Sequence, residues 1–138
     1  MKKALFDTVA VLPYTSGAVV DRLGYESAVL AVTVKTSQTA TVKIEHCDTD
    51  SGTFEAVPDS RVFVDNPVDT SGQASLKNED AADVVANLDI DLIGCKRYIK
   101  LTVTNGTVGG LALGDATDYP VKYPVQATAA ADTDDEEG

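Results

Sequence analysis

Three places in the 138-residue sequence set side chains close enough together to do chemistry. His46-Cys47-Asp48 puts an imidazole, a thiol and a carboxylate side by side. These are the groups of nucleophilic catalysis: a thiol nucleophile, a base to take its proton and an acid to orient the base. The surrounding residues alternate as a strand does, however, and neighbours on a strand project to opposite faces, so His46 and Cys47 cannot converge on one reacting atom. A strand histidine is the expectation. The second place is Asp48-Thr49-Asp50-Ser51-Gly52 with Glu55, which has the D-x-D-x-G start of a calcium loop. The anchoring acid at position 12 of such a loop would be Asp59, directly after Pro58, and no helix is predicted on either side. An Asp-rich hairpin turn accounts for the same residues. The third is Asp89-Ile90-Asp91, which places two carboxylates on one strand face. Paired carboxylates cleave glycosides when they flank a cleft and burial raises the pKa of one. Here Lys96, Arg97 and Lys100 are expected opposite them, which favours a solvated, charge-paired face. No catalytic residue, cofactor or metal ligand is therefore assigned, and an enzyme is not expected. The chain also lacks a glycine-rich phosphate loop, a G-x-S-x-G elbow and H-E-x-x-H.

Composition narrows the possible partners. Eleven Lys and Arg against 22 Asp and Glu give a net charge of -11, and a field of that sign repels nucleic acid and anionic lipid. With one His and no Trp, imidazole chemistry and Trp-lined sugar platforms both lose ground. Apolar residues make up 43% of the chain and the mean hydropathy is -0.05, which suits one globular core. No apolar run approaches the ~18–20 residues needed to span a bilayer. Met1 to Phe6 begins as a signal peptide would, but Asp7 and Thr8 interrupt the apolar stretch, so synthesis in a host cytoplasm is expected. Cys47 and Cys95 are too few for a disulfide framework and are read as small hydrophobes, with a bridge between their strands left open.

The elements that would carry these residues are almost all strands. From Tyr25 to Lys35, Ala28, Leu30, Val32 and Val34 share a face. Thr41 to Asp48 alternates as well, turns at Asp48–Gly52, and returns through Thr53 to Val57 as a hairpin. Arg61 to Asp65 reads as a short strand. Asn66 to Asp83 reads as a long loop with one helical turn near Glu79 to Asp83. Val84 to Ile93 is the clearest one-face strand, with Val84, Ala86, Leu88, Ile90 and Leu92 inward. Gly94–Arg97 reverses it into Tyr98 to Thr104, where Ile99, Leu101 and Val103 point inward. Across that hairpin, Asp89 and Asp91 would meet the basic residues. Asn105-Gly106 is a tight turn with Gly109-Gly110 beyond it, and Leu111 to Leu113 is a short strand. Tyr119 to Val125 is extended and carries two prolines, which suits an edge strand or an arm.

Seven to nine short strands separated by turns predict an all-β protein, a two-sheet antiparallel β-sandwich of jelly-roll or immunoglobulin-like type. Residues 1–126 are read as one domain with extended ends. Residues 127–138 form a solvated acidic tail, because Asp132 to Glu137 supplies five of the acids and nothing apolar to bury.

Gly24-Tyr25-Glu26-Ser27, the apolar strand after it, Val42 to Asp48, Gly52 to Asp59 and Gly94 to Leu101 together resemble the cement or decoration proteins of tailed-phage heads, most of all those of the Bordetella phage group. The resemblance spans roughly residues 17–104. It implies a β-sandwich on the outer surface of a capsid of HK97-like fold, where it bridges neighbouring major capsid proteins and stabilises the head. The partners it implies are the major capsid protein and further copies of the chain, as a dimer or a trimer; an edge strand such as Tyr119 to Val125, able to pair across a two-fold, favours the dimer slightly. Nucleic acid and membrane are not among them. Two other readings remain: a tail-tube or head–tail joining protein, and a small carbohydrate-binding module.

The ends supply the candidate contact residues. Leu5, Phe6, Tyr119 and Tyr123 are large for exposed termini. They either close the sandwich as its first and last strands or dock on the capsid or a sister subunit.

Overall fold

A computed structural model describes residues 9–57, 62–64 and 73–114. Leu5, Phe6, Tyr119, Tyr123 and the acidic tail lie outside the described residues. Among those described there are nine strands and no α-helix. The strands are β1 (Ala10–Leu12), β2 (Val19–Asp21), β3 (Ser27–Val34), β4 (Thr39–Cys47), β5 (Glu55–Ala56), β6 (Ala74–Lys77), β7 (Val84–Asp91), β8 (Tyr98–Thr104) and β9 (Thr107–Gly114).

They form two antiparallel sheets packed together as a β-sandwich. The first has the order β1-β9-β3-β7 and the second β2-β8-β4-β5, with β6 also paired to β4. The pairing is nested. β1 pairs with β9, β2 with β8, β3 with β7, and β4 with β6 and β5. The first half of the chain thus lies along the second half running backwards, and the doubled ribbon folds over to make both layers. Alternation supplies the core. Leu30, Val32, Leu88, Ile90, Leu111 and Leu113 from the first sheet face Val20, Val42, Ile99 and Leu101 from the second, and all are at most 1% exposed. Burying side chains of this kind contributes roughly 1.5–3 kcal/mol each.

Several sequence-based expectations are corrected. The chain between Val84 and Thr104 is not a hairpin within one sheet, because β7 pairs with β3 and β8 with β4 and β2. Leu92 to Arg97 carries the chain from one layer to the other. Asn105-Gly106 does the same between β8 and β9. Asn105 is left-handed at φ 61 while Gly106 is not, so this is not the two-residue hairpin turn in which both residues are left-handed. The last strand is longer than the expected Leu111 to Leu113, and Gly109-Gly110 lies inside it. Ala31 pairs with Gly110 but Val32 with Val108, so Gly109 is the extra residue of a β-bulge, where a missing side chain is an advantage.

The central loop holds a strand, β6, with Ala74 and Leu76 buried. The helical turn near Glu79 to Asp83 is absent. Instead the buried Asn78 side chain organises these residues, donating to the carbonyls of Val34 and Ala82 (both 2.9 Å) and accepting from the Asp80 N–H (2.8 Å). This local bonding competes with helix formation. Of the strand expected over Arg61 to Asp65, the described part makes one bridge, Phe63 to Ile90. The return strand after the Asp48–Gly52 turn is only two residues long.

Candidate functional site

The chemistry-bearing residues do not assemble into a reaction centre among the described residues. His46 is buried on the inner face of β4, and its Nδ1 accepts the Lys96 N–H at 3.1 Å. Burial, reinforced by nearby Lys96, holds its pKa below the ordinary value, so the ring is a neutral acceptor. Cys47 lies on the other face, where its Sγ is 3.8 Å from Thr49 Oγ1. Both cysteines are free thiols, and Cys95 is the buried one.

Asp48 pairs with Lys96 at 3.8 Å, so this acid faces a cation of the chain. Among the described residues, no three His, Cys, Asp or Glu side chains are grouped to hold a metal ion. Asp89 and Asp91 share the outer edge of the first sheet but not the company expected for them. Their strand partners are Val29 and Ser27. The three basic residues predicted opposite lie on the second sheet or at its end. Arg97 clasps Asp21 through two hydrogen bonds, Nε to Oδ1 at 3.0 Å and Nη2 to Oδ2 at 2.8 Å. Lys100 lies across from Glu45 and over the Phe54 ring at 4.5 Å.

What the fold builds instead is a contrast between two outer faces. On the second sheet, charges alternate and are matched. Besides the Arg97–Asp21 pair, Lys43 approaches Glu45 at 3.8 Å. Partial burial opposes ionisation of Asp21, but Arg97 outweighs it and holds the carboxyl below its ordinary value. Such a face is suited to water.

The outer face of the first sheet is smooth. Its cross-strand rows follow from the register. Val11, Ala112, Val29 and Asp89 form one row. Gly110, Ala31 and Asn87 form the next, then Thr107, Thr33 and Val85, with Gly114, Ser27 and Asp91 on the other flank. Nothing larger than valine or asparagine stands on these rows, and none of the residues is a Lys or Arg. Val11 is 77% exposed, and Val85 and Ile93 are more than 60% exposed. At the β7 edge the face deepens into an open groove of about 450 Å³ lined by Val29, Val64, Ile93, Glu26, Asp89 and Asp91. None of these three carboxylates makes an ion pair with another described residue.

Sequence reasoning singled out Asp89 and Asp91 but missed the face to which they belong. The available signal was the last strand, where Gly110, Ala112 and Gly114 alternate with Leu111 and Leu113. Comparison with known proteins finds no matching family, no matching curated protein and no matching solved structure.

Proposed function

We propose that this chain is a non-enzymatic structural protein of a tailed-phage head. It binds the outside of the capsid shell and bridges neighbouring major capsid proteins. The observation that carries the reading is the contrast between the two outer faces: one laced with matched charges, the other smooth, small-residued and without a cation on its rows. A sandwich with one sheet face toward water and one toward a flat protein surface has this pattern. The resemblance over residues 17–104 supplies the kind of surface. The nested strand pairing favours the jelly-roll alternative, which is built from an antiparallel ribbon folded on itself, over the immunoglobulin-like one.

The smooth face measures roughly 430 Å², from three strands of 8 residues and one of 3, ~4.8 Å apart with ~3.3 Å per residue. A stable pairwise interface needs about 800 Å² from each partner. A capsid lattice makes up the difference, because a homo-oligomer that engages several sites at once gains avidity without further contacts. A dimer suits shell positions related by a two-fold axis.

Sedimentation of purified protein with expanded phage heads that lack their own decoration protein tests the reading. Co-sedimentation to a saturating, symmetry-related copy number, with heads that hold their DNA to higher temperature, is the expected result. Protein left in the supernatant at every shell concentration, or bound only to tails, would overturn it.

A further inference from the structure

The groove at the β7 edge has a more specific chemistry than the face around it. Its walls are the apolar side chains of Val29, Val64 and Ile93, and its carboxylates are Glu26, Asp89 and Asp91. The Asp91 side chain is held in place by accepting the Ile93 N–H at 3.0 Å. Every Lys or Arg with an ion pair among the described residues is engaged elsewhere, by Asp21, Glu45, Asp48 or Glu79. Three carboxylates therefore flank an apolar trough, and none of them is in salt-bridge contact with a described Lys or Arg; the Arg22 guanidinium is committed to the carbonyls of Tyr25, Cys95 and Lys96.

From this arrangement the geometry points to a slot for a lysine or arginine side chain presented by the partner surface. The aliphatic stem lies along Val29, Val64 and Ile93, and the charged head meets Asp89 and Asp91. Long cationic side chains are amphipathic in this sense, covering apolar surface while the head keeps polar contacts. A carboxylate pair binds the head by charge-assisted hydrogen bonds, most strongly when the head is a guanidinium. The rest of the smooth face contributes contact area, and the slot contributes register. A chain of net charge -11 gains little from general attraction to other acidic surfaces, so a localised cation gives the encounter its orientation. The identity of the partner rests on the capsid reading; the slot itself does not.

Two measurements separate these claims. In the first, the Asp89→Lys/Asp91→Lys protein and a Lys43→Glu/Lys100→Glu protein altered on the opposite face are each bound to decoration-free heads. The expected result is binding at least about tenfold weaker for the first and unchanged for the second. Equal binding by the Asp89→Lys/Asp91→Lys protein and the wild type would overturn the slot while leaving the capsid reading in place. The second uses no heads: the free protein is titrated with hexylammonium chloride and followed by amide NMR. Shifts gathered at Val29, Asp89, Asp91 and Ile93, and lost in the charge-reversed protein, support the slot even if the wild type binds no head. Shifts scattered over all acidic residues would overturn it. Two further variants test the other occupants. A dimer that dissociates on Val29→Lys would place a second copy on the face and overturn the proposal. A change in the Asp89 or Asp91 amide signals on Lys122→Gln in the free protein would assign the slot to this chain's own lysine, with the same consequence.

Discussion

The hydroxyl of Tyr14 accepts a hydrogen bond from the backbone N–H of Leu101, 2.9 Å away and 87 residues along the chain. It also donates to the Ala18 carbonyl at 2.5 Å. One buried phenol thus ties the β1–β2 connection to the middle of β8, where β8 has β2 on one side and β4 on the other. Removing only the oxygen leaves a buried N–H without its partner, which costs about 1–3 kcal/mol. Tyr14→Phe should therefore lower the unfolding free energy by that amount, read as a lower urea midpoint with an unchanged denaturant slope. An unshifted midpoint would mean that water takes over the bond.

Gly106 occupies the point where the chain crosses between layers. A methyl group there would sit 2.8 Å from Val32 Cγ1 and 2.9 Å from Ala40 Cβ, one atom from each sheet. Both neighbours are fully buried, so neither can swing away into solvent. Overpacking of this kind costs typically about 1–3 kcal/mol, and Gly106→Ala should lose stability in that range. Gly94, at the other crossing, has open space around it. Gly94→Ala should stay within about 0.5 kcal/mol of the wild type. Thermal melts of the two proteins side by side check the contrast, and equal melting would contradict it.

The strands with strong alternation were legible from sequence. Leu30 and Val32, or Leu88 and Ile90, reveal β3 and β7 because a period of two with large aliphatic residues has few other uses. Sheet membership was not legible, because alternation marks a strand's faces but says nothing about its neighbours. Reading consecutive strands as hairpins therefore placed Asp89 and Asp91 beside Lys96 and Arg97, whereas β7 and β8 lie in different layers. β6 was missed for another reason. Ala74-Ser75-Leu76-Lys77 has only two apolar positions amid polar residues, and its strand character comes from pairing with β4. The smooth face emerges only from register, when Ala112 is set between Val11 and Val29.

Asn78 is the polar counterpart of that packing. Its side chain, 2% exposed, makes three hydrogen bonds, two to carbonyls and one from an N–H. Asn78→Asp keeps the shape but turns the donor into an oxygen facing the Val34 and Ala82 carbonyls. Asn78→Leu removes the Asn78 partner from all three backbone groups. Both should cost more than about 2 kcal/mol, since each unsatisfied buried group is worth about 1–3. Amide exchange should quicken at Asp80, whose N–H loses its acceptor in the leucine variant. A stability loss without faster exchange at Asp80 would show that the turn holds by itself.

Stability should decline at both ends of the pH range, for reasons of opposite sign. On the alkaline side, burial pushes the Cys95 thiol up to about 11 and the Tyr14 phenol up to about 12, from ordinary values of 9.0 and 10.0. Unfolding releases these protons wherever the pH exceeds the unfolded values. The stabilisation is therefore complete below pH 9.0 and is lost as the pH rises toward about 12. On the acid side, burial holds the His46 pKa below its ordinary 6.5, so the unfolded chain binds a proton more readily than the folded one. That contribution is present above pH 6.5 and is lost as the pH falls through the lower folded value. Protonation would also remove the acceptor for the Lys96 N–H and loosen the link between β4 and the β7–β8 connection. Urea midpoints measured across this range should form a plateau with two shoulders. Relative to the wild type, Tyr14→Phe/Cys95→Ala should flatten the alkaline shoulder and His46→Gln the acid one. Parallel curves for all three proteins would contradict the assignment of these shoulders to these groups.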